Sequence, residues 1–350
     1  MTDHMANLRH MTSHVRTLFV IVFAVAVTML LLTRSVTQHF SGLEVRGMAR
    51  ERVASRIHHV NNTGIVQTNT SGNQTNIYND VMKIRLLCVI LTMPKDLHTK
   101  VATVNKTWAT RCDRHFYVIN SRIKRHDFLN INNIPESRNN LVHKIQEVYK
   151  RVYERYMNDF DYILKADDDT YVIVENLKYL LWHHDAQKAG YLGFHFNKFV
   201  KSGYMSGGAG YVISNRGLRQ MVEEGFNKGL CKIVKREEDQ ENSEDIETGR
   251  CLEAAGVPVW SSLDAEGRET FHPYTLERHL AGDLPGYLYS WAKHPIQKGK
   301  ECCSRYTISF HYVPPDAMIY LDHVLYQMTV FGVHGNQDFP VSVFSEGHIT

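Results

Sequence analysis

Cysteine, proline, unbalanced charge and long apolar runs are all scarce in this 350-residue chain. Six cysteines are too few for a disulfide-built scaffold, so any bridges staple a core formed by burial. None of them has the C-x2-C spacing of a structural zinc site. Nine prolines, 22 glycines and no internal repeat exclude a collagen-like chain, and 43% hydrophobic residues exclude a wholly disordered one. Lys and Arg number 40 against 37 Asp and Glu, and the resulting +3 is too balanced for a general nucleic-acid binder. Apart from one stretch near the N-terminus, no apolar run approaches membrane length, which excludes a multi-pass membrane protein.

That stretch is residues 17–33, apolar or Thr throughout and flanked by Arg16 and Arg34. It is at the short end of a bilayer span, has no polar face for a soluble helix, and is followed by no small-residue cleavage site. It reads as an uncleaved anchor after a cytoplasmic tail, residues 1–16. Arginines on both sides leave the positive-inside rule undecided. The sequons at Asn61, Asn69, Asn73 and Asn105 all follow the run and favour a lumenal C-terminal portion. Residues 34–80, polar and aperiodic, read as a flexible, glycosylated stem. All six cysteines lie beyond it, in keeping with an oxidising lumen.

From residue 81 to 350 the pattern suits one catalytic domain. Residues 84–91 form a continuous apolar run, typical of a parallel strand buried on both faces. The pattern then predicts a helix over 100–110, a strand over 114–119, a helix over 138–157, a strand over 161–165 and a helix over 174–183. This alternation argues an α/β fold with a mainly parallel sheet, whose ligands sit beyond the carboxyl ends of the strands. Asp167, Asp168 and Asp169 stand there. Three adjacent carboxylates repel one another, and either a divalent cation or solvent at the cap of a helix starting near Thr170 would relieve them. Their position beyond a strand favours the metal. Residues 236–247 are also rich in acids, and their composition alone selects none of them from a solvated helix start. The glycines after Ser206 suit a turn or a close backbone approach to a ligand.

Residues 164–177 (LKADDDTYVIVENL), 203–214 (GYMSGGAGYVIS), 244–252 (EDIETGRCL), 269–273 (ETFHP), 302–304 (CCS) and 309–313 (SFHYV) resemble, in order, motifs of the core 1 β1,3-galactosyltransferases within the wider β1,3-glycosyltransferase family. The resemblance implies a GT-A type, Rossmann-like nucleotide-sugar fold in a Golgi membrane protein of type II topology. It also implies inverting transfer of galactose from UDP-galactose to O3 of GalNAc on Ser/Thr of glycoproteins, with Mn2+ ahead of Mg2+. Carried over, Asp169, His311 and Asp167 are metal ligands, and Asp245 is the general base with Glu244 as second choice. Thr92, Asp167, Asp168, Gly207 and Gly208 then bind the donor, and Trp291 and Tyr204 the acceptor. Implied bridges are Cys88–Cys112, Cys231–Cys251 and Cys302–Cys303, and the family admits a homodimer. The chain departs from the family pattern at Arg278, at residues 287–300 and at residues 331–350, all expected near the acceptor. Rival readings are another donor or acceptor sugar on the same fold, or a non-catalytic lumenal chaperone.

Overall fold

The computed structural model describes residues 70–231 and 243–330. The expected tail, the anchor at 17–33, Asn61, Asn69 and most of the stem lie outside these residues. Among the described residues no helix is long and apolar enough to cross a membrane. In chain order the principal elements are α1 (Thr70–Met82), β1 (Leu86–Leu91), α2 (Ala102–Lys106), β2 (Arg114–Ile119), β3 (Phe128–Asn130), α3 (Leu141–Tyr156), β4 (Tyr162–Asp167), β5 (Tyr171–Val172), α4 (Val174–Trp182), β6 (Tyr191–Gly193), β7 (His195–Phe196), β8 (Tyr204–Met205) and β9 (Tyr211–Ser214). They continue with α5 (Asn215–Gln220), α6 (Glu244–Ala254), β10 (Phe271–His272), α7 (Leu276–Ala281), α8 (Gly286–Trp291), β11 (Ser309–Phe310) and α9 (Pro315–Tyr326).

The central sheet has the order β3-β2-β1-β4-β9-β6. Strands β3, β2, β1 and β4 pair in parallel, whereas β9 runs antiparallel to both β4 and β6. Every residue of β1 is buried. Leu86, Cys88 and Ile90 enter one apolar cluster, and Leu87, Val89 and Leu91 enter another on the opposite face. This is the period-2 alternation of a strand covered on both sides, and it explains the uninterrupted apolar run. One cover is α3, whose Ile145, Val148 and Val152 recur at helical spacing and point at the sheet. Each such burial contributes about 1.5–3 kcal/mol relative to exposure. The other cover includes Val104, Trp108, Leu177 and Met318.

Two expectations change. The helix expected over 100–110 is broken into a π turn at Leu97–Val101, α2, and a 3-10 turn at Ala109–Arg111. The hydroxyls of Thr103 and Thr107 donate to the carbonyls of Thr99 and Thr103 four residues back (3.0 and 2.9 Å), a contact that bends helices. Residues 70–80, expected within a flexible stem, belong to α1 instead. The three disulfides join Cys88 to Cys112, Cys231 to Cys251, and the neighbours Cys302 and Cys303.

Candidate active site

The register of β1 against β4 sets Leu91 beside Asp167, so Thr92 and the acidic triplet emerge together at the carboxyl end of the sheet. The chain does not enter a helix at Thr170. It forms β5 first, and α4 begins only at Val174, so the triplet caps no helix. Strand β11 pairs antiparallel with β5, matching Phe310 to Tyr171, and the Val313 amide donates to the Asp169 carbonyl at 2.9 Å. This short ladder carries His311 across about 140 residues of sequence to the triplet.

Asp167, Asp169 and His311 each offer one ligand atom, and the three atoms lie within 4.8 Å of one another. His311 Nε2 is 3.3 Å from Asp169 Oδ1, and its Nδ1 is 3.3 Å from the Pro273 carbonyl. Two carboxylates and an imidazole, all half-buried, fit a divalent cation, and the imidazole suits Mn2+ better than Mg2+. Burial pushes the Asp169 carboxyl up, but hydrogen bonding and charge from His311 and then Lys100 outweigh it and hold the pKa at about 2. It is an anion at any physiological pH. Asp168 differs: burial raises it against the opposing pull of Lys100 and Thr92. Its carboxylate accepts from the Thr92 hydroxyl (2.8 Å) and the Lys100 ammonium (2.9 Å). Thr92, expected to meet the donor, is buried and committed to Asp168.

Glu244 and Asp245 open α6 and have opposite environments. Glu244 is buried, with its carboxylate 3.0 Å from the Lys165 ammonium and accepting from the Tyr211 hydroxyl. A solvated acidic surface is therefore excluded at this position. Burial raises its pKa, with Lys165 opposing. Asp245 is half-buried. Its Oδ2 accepts from the Gly207 amide (3.0 Å), and its Oδ1 from the Ser243 hydroxyl (2.6 Å) and the Ile246 amide (2.9 Å). The Cys231–Cys251 bridge ties α6 back to the segment before residues 232–242.

At Gly207 and Gly208 the places a side chain would take are filled by neighbouring side chains. A Cβ on Gly208 would lie 2.0 Å from His311 Cε1, so the missing side chain is the space the imidazole occupies. A Cβ on Gly207 would meet Glu244 Oε2 at 3.1 Å. Tyr204, expected at the acceptor, is 3% exposed and packs on Phe196, so it is a core residue. Trp291 is half-buried against Phe196, Phe199 and Tyr287. Asn105 lies on α2 with its amide oxygen 3.4 Å from the Tyr117 hydroxyl, unlike a sequon on an open loop. Sequence reasoning passed over Lys165 and Lys100, although a lysine inside an apolar strand is itself a signal. It also passed over an aromatic run beside the candidate metal ligands. Tyr312 stacks on His311 (3.8 Å) and is 54% exposed, Tyr274 lies 5.4 Å from Tyr312, and the Tyr274 and Tyr287 hydroxyls are 2.9 Å apart. Tyr312 holds a left-handed φ of 57°, uncommon for a bulky residue.

Residues 85–314 match the Fringe-like family. The chain is 37% identical over 265 residues to glycoprotein-N-acetylgalactosamine 3-beta-galactosyltransferase 1 of Xenopus laevis, covering 74% of this chain and 71% of that protein. It is 23% identical over 222 residues to a beta-1,3-glucosyltransferase of Mus musculus (62% and 43% of the two chains). It is 29% identical over 135 residues to chondroitin sulfate synthase 3 of Homo sapiens (35% and 14%).

Proposed function

The chain belongs to the Fringe-like family, and from that premise we propose that it is an inverting β1,3-galactosyltransferase of GT-A type. The donor is UDP-galactose and the acceptor O3 of GalNAc on Ser or Thr of a glycoprotein. One observation carries this reading: residues 167–169, 244–245 and 311, remote in sequence, converge at the carboxyl ends of β1 and β4. The similarity to a galactosyltransferase named for a GalNAc acceptor supports the choice of sugars.

Mn2+ held by Asp169, His311 and Asp167 would neutralise the charge of the departing diphosphate. The protein's own groups act on the acceptor. Asp245, oriented by the Gly207 amide, Ser243 and Ile246, takes the proton from the acceptor hydroxyl. That oxygen bonds to the anomeric carbon as the bond from this carbon to the UDP phosphate oxygen breaks, on the opposite face. Glu244 is set aside as base because Lys165 and Tyr211 already use its carboxylate. Tyr312, stacked on His311, and Tyr287, hydrogen-bonded to its neighbour Tyr274, are exposed aromatic side chains of the kind against which a sugar packs. Residues 17–33 anchor the enzyme in the Golgi membrane, with residues 34–69 as the stem and the chain from α1 onward as the catalytic domain, both lumenal, a reading supported by the uncharged run and the sequons after it. A homodimer belongs to the same reading.

The test is the full-length chain in detergent, given Mn2+, a GalNAc-peptide and a panel of UDP-sugars, with product linkage read by mass spectrometry and NMR. Transfer of galactose to O3 is expected. Transfer of another sugar selects the rival specificity, and absence of both transfer and UDP binding by calorimetry selects the non-catalytic chaperone.

A further inference from the structure

Lys165 sits on β4, two residues before the acidic triplet, with only 2% of its side chain exposed. A buried ammonium is costly unless every donor is used and its charge is matched. Here all three donors are used. The Lys165 Nζ is 2.8 Å from Asp167 Oδ1, 3.0 Å from Glu244 Oε2 and 3.2 Å from the Gly207 carbonyl oxygen. No donor remains to reach a substrate. What the ammonium touches joins the two working ends of the site. Asp167 belongs to the metal group. Glu244 precedes Asp245 in the first turn of α6, and the backbone of Gly207 accepts from Lys165 through its carbonyl oxygen and donates to Asp245 Oδ2 through its amide nitrogen. Ser243, at the N-cap position of α6, makes no capping bond with its side chain, and its hydroxyl donates to Asp245. Lys165 is thus one of the groups that hold that first turn, through Glu244.

We propose that Lys165 is a positioning residue for the transfer reaction, a buried strut that sets Asp245 at a fixed place relative to Asp167 by clamping Glu244 and the Gly207 backbone together. The proposal rests on the galactosyltransferase reading above. It separates two roles that a buried lysine can have, since neutralising Glu244 needs only a charge, whereas holding Gly207 needs this donor at this point.

The experiment uses the full-length chain and two variants, Lys165→Met and the double variant Lys165→Met/Glu244→Gln. Transfer kinetics and thermal melting are measured for both beside the parent chain. Lys165→Met leaves Glu244 unmatched and is expected to lower Tm. Its kcat falls about a hundredfold, the order expected for a misplacement of about 1 Å, while KM for UDP-galactose stays within about threefold. The double variant removes the Lys165 and Glu244 charges and regains part of the lost Tm, with Asp167 still lacking its partner, yet its kcat stays at least about tenfold below the parent because the Gly207 clamp is still missing. A double variant with parental kcat reduces Lys165 to charge balance and overturns the proposal. So does a Lys165→Met variant that keeps the parental kcat. Failure of the parent chain to transfer any sugar in the same assay refutes the functional reading instead, so the two failures are told apart.

Discussion

Replacing Gly208 by alanine adds one methyl group at the most crowded point of the site. The new Cβ would stand 2.0 Å from His311 Cε1, 2.2 Å from Nδ1 and 2.6 Å from Nε2. Ordinary carbon contacts begin at about 3.5 Å, so the ring and the loop must separate by roughly 1.5 Å. The loop resists retreat, because the Gly208 carbonyl accepts from the Thr170 hydroxyl at 2.7 Å. The ring is the softer partner, although it is held by Pro273, Asp169 and the Tyr312 stack. A shift of about 1 Å in a group that positions the reaction costs about a hundredfold in rate, or about 2.7 kcal/mol of barrier. Overpacking of this kind also costs about 1–3 kcal/mol of stability. The assay is the initial rate of galactose transfer as a function of Mn2+ concentration, with a thermal melt on the same preparation. A loss of at least about a hundredfold is expected, with half-saturation moved to higher Mn2+. Gly286→Ala is the control, since nothing lies within 4 Å of the added Cβ, and its stability should stay within about 0.5 kcal/mol. A Gly208→Ala variant with parental rate and parental Mn2+ dependence would refute the placement of His311 at this site.

Asp245→Asn keeps the shape of the carboxylate but cannot accept the acceptor proton, so kcat should fall about 10²–10⁴-fold with little change in Tm, and retained turnover would return the role of base to another group. Cys88→Ala/Cys112→Ala opens a link spanning 24 residues beneath β1 and should cost about 3 kcal/mol, read as a lower denaturant midpoint. Glu269 is a buried carboxyl with both oxygens lacking hydrogen-bond partners, and burial lifts its pKa to about 8. An acid whose folded pKa is raised penalises folding progressively as pH climbs from its unfolded value, about 4.3, to about 8. Glu269→Gln should therefore match the parent in stability near pH 4 and exceed it near pH 8 by on the order of 2–4 kcal/mol, read as a higher Tm at pH 8. Equal melting curves at pH 8 would show that this carboxyl ionises without penalty.

Much of the fold was legible because burial on both faces leaves a plain trace. The uninterrupted apolar run of β1 and the helical spacing of Ile145, Val148 and Val152 each announced their element. Periodicity predicts one helix over 100–110 because it registers Val101, Val104 and Trp108 as one face but not the threonine hydroxyls competing for the carbonyls between them. Residues 70–80 read as stem because they carry almost no apolar face, yet they form α1. Within the site, the acidic triplet, the Glu-Asp pair and the Phe-His-Tyr segment were recognisable by kind. The reason for Gly208 was not, because the atom that fills its missing side chain comes from His311, about 100 residues away.

Sequence by itself determined that strands and helices alternate, that the cysteines gather beyond residue 80, and that three carboxylates follow a buried strand. These are local facts, carried by composition and by spacing along the chain. Tertiary structure alone decided which carboxylates are free to act. Pairing of β11 with β5 delivers His311 to Asp169, while Thr92 and Lys100 take up Asp168. Lys165 and Tyr211 seal Glu244, and only backbone amides and one serine hold its neighbour Asp245. A carboxylate's chemistry depends on burial and on the donors around it, and those donors arrive from remote strands that only folding brings together.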